Sequence, residues 1–148
     1  MSMGLSRCVL GIAMLLGACG GSDDDAPSFA VVSEGNRSAL LSVWGSSATD
    51  VWVVGGDPRD GTGPIVKHFD GAAWTTLDTG ERNVDLWWVT GFADGTVFMS
   101  GSNGTILRYR NGAFEKLTTP GNLIVFGMWG AASNDVWAVG GNFGAGGF

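Results

Sequence analysis

The chain contains almost the same octapeptide twice, TDVWVVGG at residues 49–56 and NDVWAVGG at residues 134–141. Each copy places a turn-forming pair before a run of Val and Trp and ends on two glycines. A short apolar run between turn signals is typical of a buried β-strand. The recurrence predicts that the chain is built from a repeated β unit.

A more diverged copy lies between these two. Glycines at positions 45, 91 and 130 are each followed ten positions later by another glycine: Gly55, Gly101 and Gly140. The copies follow one another at offsets of 46 and 39 residues, a period that propeller blades and helical repeats share. Because Val, Trp, Phe and Gly dominate the segments, with apolar runs or alternation of period two, the pattern excludes helical repeats.

Four strands are predicted in each of the first two copies. Asp-Gly and Asn-Gly pairs between them favour hairpin turns, since a positive φ costs these residues little. The predicted strands are 40–44, 51–54, 65–69 and 74–77 in copy one, and 86–89, 97–99, 105–109 and 113–117 in copy two. Four antiparallel strands in about 40 residues correspond to one blade of a β-propeller.

We therefore predict an all-β fold, a partial β-propeller of about two and a half four-stranded antiparallel blades, with blades at 40–79, 86–119 and, in part, 123–148. A closed propeller needs at least four blades, about 160 residues. The chain is thus expected to be the N-terminal piece of a longer protein or a truncated reading frame. One side of the first blade and the unfinished third blade are expected to expose apolar faces and unpaired edges, to which residues 123–126 add.

One position of the repeat holds a large aromatic residue in all three copies: Trp52, Phe98 and Trp137. We expect these side chains to fill the wedge between neighbouring blades, each burying about 150–250 Å². The glycines at 55, 101 and 140 close the second strand of each copy, where backbones approach closely or φ turns positive.

The first residues have the form of an export signal. Arg7 supplies a positive charge, and residues 8–16 (CVLGIAMLL) are apolar but too short to span a bilayer. The sequence LGAC at 16–19 resembles the lipobox of bacterial lipoproteins, which implies cleavage before Cys19 and acylation of its thiol. The alternatives are an ordinary signal peptide with a chance Cys and an uncleaved anchor. Cys8 would leave with the signal, so the mature chain would keep no free thiol.

A flexible acidic stretch, GGSDDDAPS, follows at residues 20–28. Its composition is typical of a tether, and Asp23–Asp25 fit a solvated spacer better than a cation site. The lipoprotein resemblance implies attachment to a membrane and, because Gly20 rather than an Asp follows Cys19, favours the outer membrane. The predicted parts are 1–18 signal peptide, 19–39 lipidated Cys and tether, and 40–148 propeller repeats.

The motifs SVWG (42–45) with DVWVVG (50–55), and GSNGTILR (101–108), resemble repeats of secreted bacterial β-propellers found in myxobacterial lipoproteins. Those are related to photosystem II assembly-factor and sialidase-type (BNR) propellers. The resemblance covers residues 40 to about 141 and implies the fold without a particular activity. FDGAAW (69–74) is similar to the structural Asp-box of sialidases, but His68 stands where the box has Ser, and YRNGAF (109–114) departs further.

The residues predict no catalytic set, metal or cofactor. A formal charge of −6 and a pI near 4.4 argue against nucleic-acid binding. A sialidase-like site needs an arginine cluster and a Tyr–Glu pair, whereas Tyr109 is the single tyrosine. His68 is expected at an exposed strand position equivalent to Arg108, not as a metal ligand. Asp57 and Asp60 lie in one glycine-rich loop, which is expected to be an ordinary surface loop or, as an alternative, a calcium-binding loop.

Asp50 and Asp135 precede their strands and are expected to bind turn amides. We therefore predict a non-enzymatic module of the cell envelope that binds or scaffolds a protein or glycan. The alternative is the N-terminal part of a glycosidase-like propeller enzyme whose active-site blades are absent from this chain. An apolar or aromatic patch on one face favours the binding module, and charges converging on the axis favour the enzyme.

Overall fold

A computed structural model describes residues 28–142, which belong to two units of the chain, Met1–Val32 and Ser33–Phe148. The described part of the first unit, residues 28–32, is exposed and forms no strand. Cys19, the predicted signal and most of the predicted tether lie outside the described residues, as do residues 143–148. Between residues 28 and 142 there is no helix of a length and hydropathy that could cross a bilayer.

The second unit is all-β and contains three antiparallel sheets. Each of the first two sheets is a meander of four strands, in which every strand pairs with the next along the chain. The first sheet contains β1 (Leu40–Ser47), β2 (Asp50–Gly55), β3 (Val66–Phe69) and β4 (Trp74–Thr76). The second contains β5 (Leu86–Gly91), β6 (Val97–Gly101), β7 (Ile106–Arg110) and β8 (Ala113–Lys116).

The third sheet has two described strands, β9 (Ile124–Ala132) and β10 (Asp135–Gly141). Its register repeats that of the other sheets, since the aromatic position of the second strand faces the same position of the first strand each time. The three cross-strand pairs are Trp44 with Trp52, Thr90 with Phe98, and Trp129 with Trp137. The three copies of the sequence repeat thus fold in the same way over their first two strands.

All eight strands predicted in the first two copies are confirmed, with ends that differ by one to three residues. The Asn-Gly turns are confirmed as well. Both residues of each pair have positive φ, 58° and 66° at Asn103 and Gly104 and 52° and 82° at Asn111 and Gly112. Two consecutive positive φ values are the mark of the type I′ turn, whose twist matches that of a hairpin.

Two apolar cores lie between successive sheets. The first joins residues of the first sheet, such as Trp52 and Val66, to Val97 and Met99 of the second. The second core contains Phe98 of β6 with Val125 and Met128 of β9. Because alternate residues of a strand point to opposite faces, β6 supplies both cores, and all five of its residues are buried. The first strands of the three sheets, β1, β5 and β9, contact one another in sequence.

The glycines at the ends of β2 and β6 lie against backbone. A Cβ built on Gly55 would lie 2.1 Å from the carbonyl oxygen of Ala39, and one on Gly101 would lie 2.0 Å from that of Asp85. Neither has a positive φ, so close approach is what requires glycine here. Gly140 occupies the equivalent register position opposite Val125.

At two places the packing differs from what the repeat alone predicts, although an exposed third copy was itself expected. Trp52 and Phe98 are buried, at 3% and 4% exposure, whereas Trp137 is 69% exposed, because no described sheet covers its side of β10. The run 123–126 does not form an exposed apolar strip either. Val125 is buried in the second core, and Leu123, Ile124 and Phe126 are half-buried.

Candidate functional site

The third sheet carries an exposed apolar surface, the open face, formed by Trp129, Trp137 and Val139. These side chains are 66%, 69% and 61% exposed. Trp129 and Trp137 are cross-strand partners, and Val139 follows two residues along the same side of β10. Val136 and Ala138, which alternate with Trp137 and Val139 along β10, point the other way and pack on the second core. The open face is therefore a continuous patch of two indoles and an isopropyl group.

The repeat explains why these residue types stand there. The equivalents of Trp137 and Val139 in the first sheet are Trp52 and Val54, both buried under the second sheet. The sequence thus makes this side of each sheet suited to contact with another sheet. Large exposed apolar patches on soluble proteins commonly mark interaction sites.

An open strand edge borders the open face, and an apolar cavity lies on the opposite side of β10. The second strands of the other sheets pair with a third strand, but within the described residues β10 pairs with β9 alone. Beside it lies a cavity of about 310 Å³, whose apolar lining includes Ile106, Leu123, Val125 and Ala138. Such an edge and groove can accept an added strand, with main-chain hydrogen bonds giving affinity and the groove giving specificity.

Asp57 lies in the loop for which calcium binding was an alternative, and its carboxylate accepts hydrogen bonds from the protein itself. The backbone N–H groups of Arg59 and Asn83 donate to Asp57, each at 2.6 Å. The Arg59 guanidinium lies 3.4 Å from Asp57 and donates to Asp85 at 2.7 Å. Burial favours the neutral acid, but these amides and the guanidinium outweigh it and lower the pKa of Asp57. Asp57 therefore ties the loop to the segment before β5.

Asp60 faces different partners from Asp57. Its carboxylate accepts hydrogen bonds from the backbone and hydroxyl of Thr62, and Arg37 lies 2.6 Å away. The two carboxylates of the loop therefore do not converge. No cluster of three or more His, Cys, Asp or Glu side chains with metal-binding geometry occurs in residues 28–142.

A polar cavity of about 570 Å³ lies beside this loop. Three cationic side chains line it, and each already has a partner. Arg82 pairs with Asp78 at 2.9 Å, Lys67 donates to Asn36, and Arg37 pairs with Asp60. Carboxylates therefore compensate two of the three charges, and the third, that of Lys67, is held by a neutral amide.

A cluster that the sequence did not predict joins Asp50, Trp52 and His68. The His68 ring stacks on Trp52 with centroids 4.1 Å apart, and its Nε2 lies 2.7 Å from Oδ1 of Asp50. His68 is therefore half-buried, whereas an exposed strand position was expected. The expected turn-amide role of Asp50 is wrong, because its partners are side chains, including the Trp52 indole N–H at 3.1 Å. The cross-strand pairing of Trp52 with His68 was the signal that could have revealed the cluster.

This cluster lacks the geometry of a catalytic triad. The Ser46 hydroxyl donates to Asp50 rather than to the imidazole, and this bond is the main cause that lowers the pKa of Asp50. A serine nucleophile needs its hydroxyl on the imidazole, which then removes the proton. The contacts of His68 and Asp50 are those of a group that supports Trp52.

The predicted repeat residues therefore fall into two groups. Trp52 and Phe98, with the neighbouring strand-end glycines 55 and 101, lie inside the stack of sheets, whereas Trp137 lies on the open face. Comparison with known proteins finds no matching family model, no matching curated protein and no matching solved structure. The function is consequently argued from the repeats and the open face.

Proposed function

We propose that this chain is an exported cell-envelope lipoprotein, anchored through Cys19, whose β repeats are blades of a propeller-type module that binds or scaffolds a protein partner. Two observations support the propeller assignment. The sheets are four-stranded antiparallel meanders where fully described, and their first strands contact in sequence, as strands around a common axis do. The lipobox-like sequence 16–19 supports the anchor.

The observation that carries the binding role is the open face. Its Trp, Trp and Val side chains are aligned on one side of two paired strands and carry no charge. Tryptophan is enriched in the central, energetically dominant part of protein interfaces. The three cationic side chains of the polar cavity already have partners within the chain, two of them carboxylates and one the neutral Asn36. A protein surface is therefore the partner that this patch fits best, ahead of a glycan.

The binding role is tested by a photoreactive cross-linker, p-benzoylphenylalanine, placed at position 137 in cells. Light should attach a protein to position 137, in adducts that a protease degrades. The same group at Thr75, an exposed residue of β4 on the side of the first sheet that carries Trp52 and His68, is the control. Equal labelling at the two positions, or none at 137, would contradict a protein-binding role for the open face.

The anchor is tested separately by labelling with palmitate. The mature protein should partition into detergent and incorporate the label, and Cys19→Ser should abolish both. Several acyl chains give a stable attachment that one chain alone does not. Cys8→Ser is the control, since Cys8 lies in the part removed with the signal. Undiminished labelling of Cys19→Ser would exclude the anchor and leave the binding role standing.

A further inference from the structure

The contact between the first two sheets is built around an aromatic ring on a glycine. A Cβ at Gly91 of β5 would lie 2.5 Å from two ring carbons of Trp44, so the missing side chain makes room for the indole. The next contact is similar, but its ring comes from Phe92, just after β5, and not from Thr90, the repeat equivalent of Trp44. A Cβ at Gly130 of β9 would lie 2.9 Å from the ring of Phe92. The second and third sheets thus each offer a glycine against which an aromatic ring of the preceding sheet lies.

Among the described residues, one aromatic ring at such a position lies on no glycine, and one glycine at such a position carries no ring. Trp129 is the repeat equivalent of Trp44, yet it is 66% exposed. Gly45 is the equivalent of Gly91, yet it is exposed, and a Cβ there would meet only atoms of its own hairpin. The two halves of one contact are therefore both present on the chain, at opposite ends of the stack.

Aliphatic residues of β1, the strand of Gly45, are also exposed where their equivalents in β5 are buried. Val43 of β1 is 67% exposed, whereas its equivalent Val89 is 2% exposed under the first sheet. Leu40 is likewise exposed, and its equivalent Leu86 is fully buried. We call Leu40, Val43 and Gly45 the first-sheet face. Its positions are equivalent to apolar positions that the second and third sheets bury.

We propose that a second copy of this chain docks head to tail, placing its first-sheet face on the open face so that Trp129 rests on Gly45 of the second copy. The inference rests on the proposed role of the open face as a binding surface, and it names the occupant. Because the two faces differ, the contact is heterologous and can continue into a ring or a chain of copies.

The test is complementation between two variants of the full chain, purified in mild detergent and followed by sedimentation velocity. Val43→Arg removes one face and Trp137→Arg removes the other, and both residues are exposed, so folding should be unchanged by circular dichroism. Wild type should assemble as its concentration rises. Each variant alone should be monomeric, its dissociation constant raised at least about 30-fold by the loss of a central interface residue.

An equal mixture of the two variants should form a heterodimer and nothing larger. Each contributes one intact face, while the two substituted faces repel one another. Thr75→Arg places the same charge at an exposed position of β4 on the opposite side of the first sheet, the side of Trp52 and His68, and should assemble like wild type. A symmetric interface would give no rescue on mixing.

A mixture that stays monomeric, or a wild type that stays monomeric at all concentrations, would overturn the second copy as occupant. The cross-linking test at position 137 then still decides the proposed function, because a different protein attached there would keep the open face as a binding surface. The two failures are therefore distinguishable.

Discussion

Trp52 and Trp137 occupy the same position of the repeat, in the same register opposite another tryptophan, yet one is 3% exposed and the other 69%. Local sequence and strand pairing do not separate them. The difference is that the second sheet covers Trp52, and no described sheet covers Trp137. Burial at a repeat position is thus a property of the neighbouring sheet, whereas the repeat itself sets only which side chain faces that neighbour.

The two equivalent positions also have different roles, one in folding stability and the other in recognition. A large aromatic residue that is covered within the chain holds two sheets together. The same residue, left uncovered, contributes little to folding and is available to a partner. Substitution of the covered residue should therefore lower the free energy of unfolding, whereas substitution of the uncovered residue should weaken binding of a partner.

The largest difference is expected between Trp52→Ala and Trp137→Ala. The first should lower the free energy of unfolding by about 3–5 kcal/mol, because it empties a packed core site. The second should change it by less than about 0.5 kcal/mol in dilute solution, since the side chain is exposed. Urea unfolding of the two variants measures both values. Equal losses would mean that Trp137 is covered within the folded chain.

The next effect is expected at Asp57, which links the first sheet to the segment before the second. Asp57→Ala removes the charged acceptor of two part-buried N–H donors and should cost about 1.5–3 kcal/mol. Asp60→Ala is the matched control in the same loop and should move the urea midpoint little, because Asp60 is exposed. A control as damaging as Asp57→Ala would contradict the assigned role.

The contribution of Asp57 should also depend on pH. Its pKa is lowered in the folded chain, so the stabilisation is fully present above the pKa of the unfolded chain, near 4. It is lost as the pH falls from there through the folded pKa. The stability difference between wild type and Asp57→Asn should therefore be constant from about pH 5 to 7 and shrink below about pH 4. A difference that grew on acidification would reverse the assigned direction.

A smaller effect is expected from Gly91→Ala in the second sheet. The added methyl group would meet the Trp44 ring at 2.5 Å and should cost about 1–3 kcal/mol through overpacking. Gly127→Ala in the third sheet is the control, because its Cβ would meet only a side-chain atom of Val139 at an ordinary 3.6 Å. Thermal melting compares the two, and an unaffected Gly91→Ala would show that Trp44 moves aside without cost.

The sequence predicted the local features of this fold and missed the distant ones. Asn103-Gly104 specifies its turn by its own φ preferences, and the apolar run of β2 specifies its strand. The acceptor role of Asp57 was not predictable, because the Asn83 amide that it binds lies 26 residues away and is brought close only by the packing of two sheets.

The candidate site was predictable in part. Repeat alignment identified Trp137 as a residue that meets a neighbouring sheet, but exposure depends on which sheets are present, which no single repeat encodes. The exposed apolar faces of the first and third copies followed from counting strands. The pairing of a free ring with a free glycine needed the observed contact of Trp44 with Gly91.

The central claim is that the open face is the uncovered counterpart of the surface that buries Trp52. Hydroxyl-radical footprinting of the full chain, read by mass spectrometry at each tryptophan, tests it most directly. In dilute solution Trp129 and Trp137 should be oxidised much faster than Trp52, in the order of their exposed surface, and should become protected as the concentration rises. Oxidation of Trp52 as fast as that of Trp137, or protection of Trp137 even at the lowest concentration, would contradict the account.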